Sequence, residues 1–371
     1  MPLFPAVDPI PLPAPVWLFK ALELVTVTLH FLAVQAFVGA LLVASIWSLK
    51  GRMSNNTTLI NGSGIIVHRL PVLMTYVINL GVPPLLFAQV LYGRALYTSS
   101  VLMGAFWISV VFLLMAAYAH LYVLAGRAQA GKPWGWLGIF TLLLTFAIGY
   151  LYSTNMTLMN RPDLWAEMYR DAPQGLNLNT GDPTVFPRWL FMMTGGLTTG
   201  GVAFLFLARK KHIAPEAATL FAGTGPVLIL MGVVAQLAAG TWAVMAQTPE
   251  LRGALLGHFV FGTSTWLWIV SILAVGVVGF LTHKNPSTQS YFFPSIAGAA
   301  LFVEVLLGAI ARSGIRDLTL LSYGLDVWDR QVASNWIVVG AFLLLFVLGI
   351  GVLFWLATVV ARAKGMEERY V

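Results

Sequence analysis

The chain has 371 residues, of which 58% are apolar and only 9% charged; it has no cysteine and a formal net charge of +7. Soluble domains carry about 25% charged residues, so this composition excludes a water-covered surface and leaves one integral membrane domain, residues 1–371, solvated mostly by lipid. The lack of cysteine excludes disulfides, iron–sulfur clusters, thiolate zinc sites, covalent haem c and cysteine nucleophiles, and no Lys/Arg cluster with interleaved aromatics points to nucleic acid.

Residues 1–16 hold no Lys or Arg and carry Pro at 2, 5, 9, 11, 13 and 15, which does not fit a cleavable signal. Residues 16–23 are expected to form an interfacial turn or helix leading into the first span. Nine apolar segments are long enough to cross about 30 Å as helices: 24–49, 70–93, 98–125, 134–153, 187–208, 217–246, 253–281, 291–311 and 332–361. The predicted fold is therefore all-α, a polytopic membrane bundle of about nine transmembrane helices. With the N-terminus outside, the inner segments hold twelve Lys and Arg and the outer loops eight. That bias predicts N-out, C-in, in the inner membrane of a bacterium or archaeon. Two long outer loops, 154–186 and 312–331, carry Asp163, Glu167, Asp171 and Asp182, and Asp317, Asp326 and Asp329. Each is either a docking place for a partner or a solvated connection.

Ionisable side chains inside a membrane are costly and mark function by default. Four fall within the spans: His30, His120, His258 and Glu304. His68, His212 and His283 fall at membrane edges and read as interfacial. At 1.5 Å rise per residue, His30 and His258 each lie several residues into a span that enters from outside, so the two could meet at one level. Two axial ligands must reach one haem iron from opposite faces, which makes His30 and His258 the candidate pair. Met192 and Met193 open the fifth span at the same level, ahead of the small-residue run Thr198-Thr199-Gly200-Gly201, which lets a helix or a porphyrin come close. Gln89 lies near the outer end of the second span. Glu304, near mid-membrane, is a candidate iron ligand or proton carrier. For each of these the competing reading is an ordinary packing residue.

The first span reads Thr28-Leu29-His30-Phe31-Leu32, the second ends Gly81-Val82-Pro83-Pro84-Leu85-Leu86-Phe87-Ala88-Gln89, and the fourth ends Asn155-Met156-Thr157-Leu158-Met159-Asn160-Arg161-Pro162. Over about the first 210 residues these segments resemble subunit I of the cytochrome bd quinol oxidase superfamily, leaving 211–371 as four further helices. The resemblance implies that His30 ligates a high-spin haem. It also exposes departures. Gln89 stands where the family has Glu, no Asp or Glu occurs from Val101 to Tyr118, and Phe191-Met192-Met193 stands where the family has a haem-ligating His. The long quinol-binding loop shrinks to about Gln247–Arg252.

Oxygen reduction needs proton-carrying groups, so these losses put oxygen reduction and quinol oxidation both in doubt. Three readings follow. The first is a haem-b-binding membrane subunit of a respiratory electron-transfer complex, exchanging electrons with a c-type cytochrome, a neighbouring redox subunit or quinol. The second is a haem-free anchor subunit of such a complex. The third is a transporter, with helix breaks at Gly81–Pro84 and Gly223–Pro226.

Overall fold

The computed structural model describes residues 4, 11–285 and 288–362. The remainder of the Pro-rich start and the basic residues Lys364 and Arg369 lie outside the described residues. Twelve helices follow in chain order: α1 (Val16–Met53), α2 (Thr57–Val67), α3 (Leu70–Leu102), α4 (Gly104–Gln129), α5 (Gly135–Leu158), α6 (Pro162–Asp171), α7 (Val185–Leu207), α8 (Pro215–Met245), α9 (Pro249–Gly257), α10 (Phe259–Lys284), α11 (Phe292–Ser322) and α12 (Trp336–Arg362). Among the described residues nine helical units are long and apolar enough to span a membrane: α1, α2 with α3, α4, α5, α7, α8, α10, α11 and α12. The spans are mostly apolar, as lipid-solvated helices are, and a helix satisfies its backbone N–H and C=O groups internally, apart from the places where Pro83, Pro84 and Pro226 lack an N–H.

α1 is the central post, packed against α3, α7, α5 and α11. Its contact with α7 is made by glycine. A Cβ on Gly39 would overlap the carbonyl oxygen of Gly196, and one on Gly200 would lie 3.1 Å from Gly39 Cα. α7 repeats this against α8, where a Cβ on Gly201 would lie 2.6 Å from Gly225 O. The Thr198–Gly201 run thus serves helix-to-helix approach, the dispersion-driven packing available in lipid.

Several boundaries differ from expectation, each for a physical reason. Residues 16–23 are the first turns of α1 itself. The connection after the first span contains α2, started by Asn56, whose side chain accepts from Leu59 N at 3.1 Å. The segment 154–186 contains α6. The seventh span begins at Phe259 and not at 253, because His258 is extended (φ −73°, ψ 130°) and separates α9 from α10. The supposed loop 312–331 is helical to Ser322, and Arg316 and Asp317 within it are buried against Lys20 and Glu23 of α1. The expected breaks at Gly81–Pro84 and Gly223–Pro226 lie within continuous helices; the departure from helical geometry in α3 falls at Tyr92 (φ −121°, ψ 20°). Residues 12–13 pair with the α11–α12 linker through Leu12 N to Gln331 O at 2.8 Å and Ala333 N to Leu12 O at 2.9 Å.

Candidate functional site

The start of α1 and the end of α11 lie side by side, and both bury charge there. Lys20 donates to both Asp317 oxygens at 2.6 and 2.5 Å and to the Tyr92 hydroxyl at 2.5 Å. Tyr92 in turn donates to Asp317 Oδ1 at 2.8 Å, and the Trp328 indole to Oδ2 at 3.2 Å. Arg316 donates to Glu23 Oε1 at 2.7 Å and lies over the Tyr92 ring, 4.5 Å from its centroid. Lys20, Glu23, Arg316 and Asp317 are all at most 6% exposed. A buried ion pair holds only when its remaining donors and acceptors are also met, and Tyr92 and Trp328 supply them. The kink in α3 falls at the residue whose hydroxyl bridges Lys20 and Asp317. Glu23 Oε2 has no partner among the described residues.

One turn earlier on α11, Arg312 forms no ion pair among the described residues. Its guanidinium stands 5.4 Å from the centroid of the Phe31 ring, a cation–π distance. Lys20, Arg312 and Arg316 thus face Glu23 and Asp317, three positive charges against two. Arg188 of α7 is the next cation, 3.5 Å from Gln247 Oε1.

His30 follows Glu23 and Thr26 along α1 and sits beside Arg312. Its Nδ1 is 3.1 Å from the carbonyl oxygen of Val77 on α3. A carbonyl can only accept, so Nδ1 carries the proton and Nε2 keeps its lone pair. Gly81 makes the seat for the ring: a Cβ there would lie 2.8 Å from His30 Cε1. A histidine held by Nδ1–H to a backbone carbonyl, with Nε2 free to bind, is the arrangement that orients metal-ligating imidazoles.

The other candidates are not gathered around His30. His258 is exposed and caps α10, its Nδ1 accepting from Phe261 N at 3.3 Å and its ring stacked on Phe261. No contact joins it to His30 among the described residues. The expected depth of His258 fails because the helix starts one residue after it. Met193 turns toward α5, where its Cε would lie 2.9 Å from a Cβ on Gly149, and Met192 is half-buried beside it. Gln89 lines an open apolar groove of about 470 Å³ with Leu85, Tyr97, Ser100 and Trp107. Glu304 is buried between α8 and α10, its Oε1 accepting from Trp268 Nε1 at 2.7 Å and Gln236 Nε2 at 3.3 Å. His120 packs on Phe140 of α5. No cluster of three or more His, Asp or Glu side chains able to hold a metal ion occurs among the described residues.

Sequence reasoning missed Lys20, Tyr92, Arg312, Arg316 and Asp317 as a site. A signal was there: Lys20 and Glu23 share a helical face at three-residue spacing, and Arg312, Arg316 and Asp317 repeat at four and one with complementary signs.

No family model matches the sequence, and no curated protein matches it. The fold does have a counterpart among solved structures. A chain of the bd oxidase from Geobacillus thermodenitrificans superposes with a TM-score of 0.61 at 15% identity, over 95% of this chain and 98% of that one. This is therefore a multi-pass all-α membrane protein with the fold of a bd oxidase chain, the two being of similar length, and it is remote from that chain in sequence.

Proposed function

We propose that the chain is a haem-b-binding membrane subunit of a respiratory electron-transfer complex, with His30 as the axial ligand. The fold supports a redox role, and one local observation carries the haem assignment. His30 presents Nε2 as a free lone pair beside Arg312, a half-buried cation with no ion pair among the described residues. A haem would supply a one-electron centre and two propionate carboxylates that complement such a cation. The residues of this chain do the rest. Val77 O and Gly81 orient the imidazole, Phe31 and Arg312 flank it, and Lys20–Asp317 and Arg316–Glu23 lock α1 to α11. His258 is left out of this site, as are Met192, Met193 and Gln89, and the chain is read as holding iron through one histidine.

With the N-terminus outside, the site lies toward the outer face, where a c-type cytochrome or a neighbouring redox subunit would exchange electrons with it. Oxygen reduction and quinol oxidation are not part of the proposal: α4 carries no Asp or Glu, and only α9 stands between α8 and α10. The absorption spectrum of the purified protein tests the reading. A Soret band is expected, lost in His30→Ala and unchanged in His258→Ala. Colourless protein that still co-purifies with a redox complex would instead establish the haem-free anchor. That second reading is favoured by the glycine seams of α1, α7 and α8, which close the bundle centre with protein alone.

A further inference from the structure

We propose that Glu304 anchors a binding site for one small monovalent cation, a proton or an alkali-metal ion, in the middle of α11. Glu304 is 1% exposed. Both of its donors, Trp268 Nε1–H and Gln236 Nε2–H, reach the same oxygen, Oε1. The second oxygen, Oε2, is buried and has no partner among the described residues. The groups around the carboxyl are Trp268 of α10, Gln236 of α8 and, behind it, Thr198 of α7. Phe191 of α7 meets Trp268 edge to face, and Phe31 and Leu32 of α1 pack on the same apolar cluster. Neither Glu250 and Arg252 of α9 nor any other charged side chain bears on Glu304; Arg312 is eight residues away on the same helix, about 12 Å along it. A bare carboxylate in such surroundings is unstable without a counter-charge, and the protein provides none.

The neighbouring oxygens suit a cation. Thr198 Oγ1 donates to Gln236 Oε1 at 2.6 Å, so the Gln236 amide beside Glu304 has a hydroxyl behind it. Turning the Gln236 amide over exchanges its NH₂ for its oxygen beside Glu304. The Thr198 hydroxyl, able to accept as well as donate, then takes the amide hydrogen. The result is a carboxylate oxygen and an amide oxygen facing one another, an oxygen pair of the kind hard cations prefer. In the proton form the charge is neutralised on Oε2 and the amide stays as it is. The two forms interconvert in balance: the acid plus an alkali ion and water gives the ion-bound carboxylate plus hydronium.

Infrared difference spectroscopy on the full-length protein tests this without any haem, so its outcome is independent of the redox reading. Wild type minus Glu304→Gln, in a buffer whose only cation is a bulky organic amine, is expected to show one carboxylic-acid C=O band. Trp268→Phe, which keeps the carboxyl and removes its shortest hydrogen bond, is expected to shift that band, and it serves where Glu304→Gln does not fold. Conversion of the band to a carboxylate pair on adding sodium identifies an alkali-ion site. Persistence of the band in sodium identifies a proton site. A Glu304 carboxylate signal that is present from the start and unmoved by sodium would overturn the proposal.

Discussion

The Lys20–Asp317 pair makes a quantitative demand. Asp317 accepts four hydrogen bonds, two from Lys20 and one each from Tyr92 and Trp328. Asp317→Asn preserves the shape and the acceptor for Tyr92 but leaves the Lys20 ammonium buried at 4% exposure beside Arg316. Removing one member of a buried pair costs about 3–5 kcal/mol, chiefly the cost of the stranded charge. Lys20→Met strands the carboxylate and is expected to cost a similar amount. The double variant Lys20→Met/Asp317→Asn leaves no stranded charge and keeps an acceptor for Tyr92 and Trp328, so its cost should be small. With each single variant costing about 3 kcal/mol or more and the double little, the coupling energy of the cycle is then about 6 kcal/mol or more in magnitude. Unfolding of the detergent-solubilised protein, followed by tryptophan fluorescence, supplies all four values. Two single costs that simply add in the double variant would show that the pair is not the locking element between α1 and α11.

Three further outcomes follow from other parts of the molecule. Gly39→Ala, whose new Cβ overlaps Gly196 O, should force α1 from α7 and cost several times more thermal stability than Gly223→Ala, whose Cβ would meet nothing within 4 Å; equal effects would refute the seam. If haem is bound, Arg312→Leu should lower its midpoint potential by tens of millivolts, because a nearby cation favours the reduced, more negative state; a redox titration showing no change or a rise would separate Arg312 from the site. Arg161 donates to Asp163 and Asp182 at 2.7 Å each, tying α6 to the segment before α7. Burial works to raise the Asp163 carboxyl, but hydrogen bonds from Arg161 and Tyr323 hold it below its ordinary value. A depressed folded value means the stabilisation is present above the unfolded value of about 4 and is lost as pH falls through the folded one. Cleavage within 162–184 by an acid-active protease should therefore stay slow at pH 5 and rise only below about pH 4, and Arg161→Ala should abolish that protection; the pair is a third exposed, so the stabilisation is about 1 kcal/mol or less.

The spans were legible in the sequence because apolar length is a direct consequence of bilayer thickness. The site was half legible. His30 stood out as an ionisable residue inside a span, and Glu304 for the same reason. His258 was misread because Leu255 and the residues after Phe259 continue the apolar run across it, and only its extended backbone ends the helix there. Arg312, Arg316 and Asp317 were read as loop charges because hydropathy counts a charge the same way whether water or another side chain meets it. Their partners, Lys20 and Glu23, lie nearly 300 positions earlier, and nothing local in the chain announces a pairing over that separation. The isolated α2 helix was missed because eleven residues with Gly at 62 and 64 give no span-length signal.

The same packing explains why so few polar residues remain as candidates. Between α1, α7 and α8 the glycines bring backbones into contact, so any polar side chain there must pair with the nearest one: Gln35 with Thr199, Thr198 with Gln236. At the joined ends of α1 and α11 the acids are each matched to a cation. Among the described residues Arg312 and Glu304 both lie outside this pairing, for opposite reasons. Arg312 is a cation over an aromatic ring with no ion pair among the described residues, and Glu304 is an acid with two donors and no ion pair there. Both lie on α11, and they cannot neutralise one another along about 12 Å of helix. Under the two proposals above, these two groups would receive two different charged partners. An anionic one is expected beside His30 and a cationic one at Glu304, so the loss of one ligand should leave the other site intact.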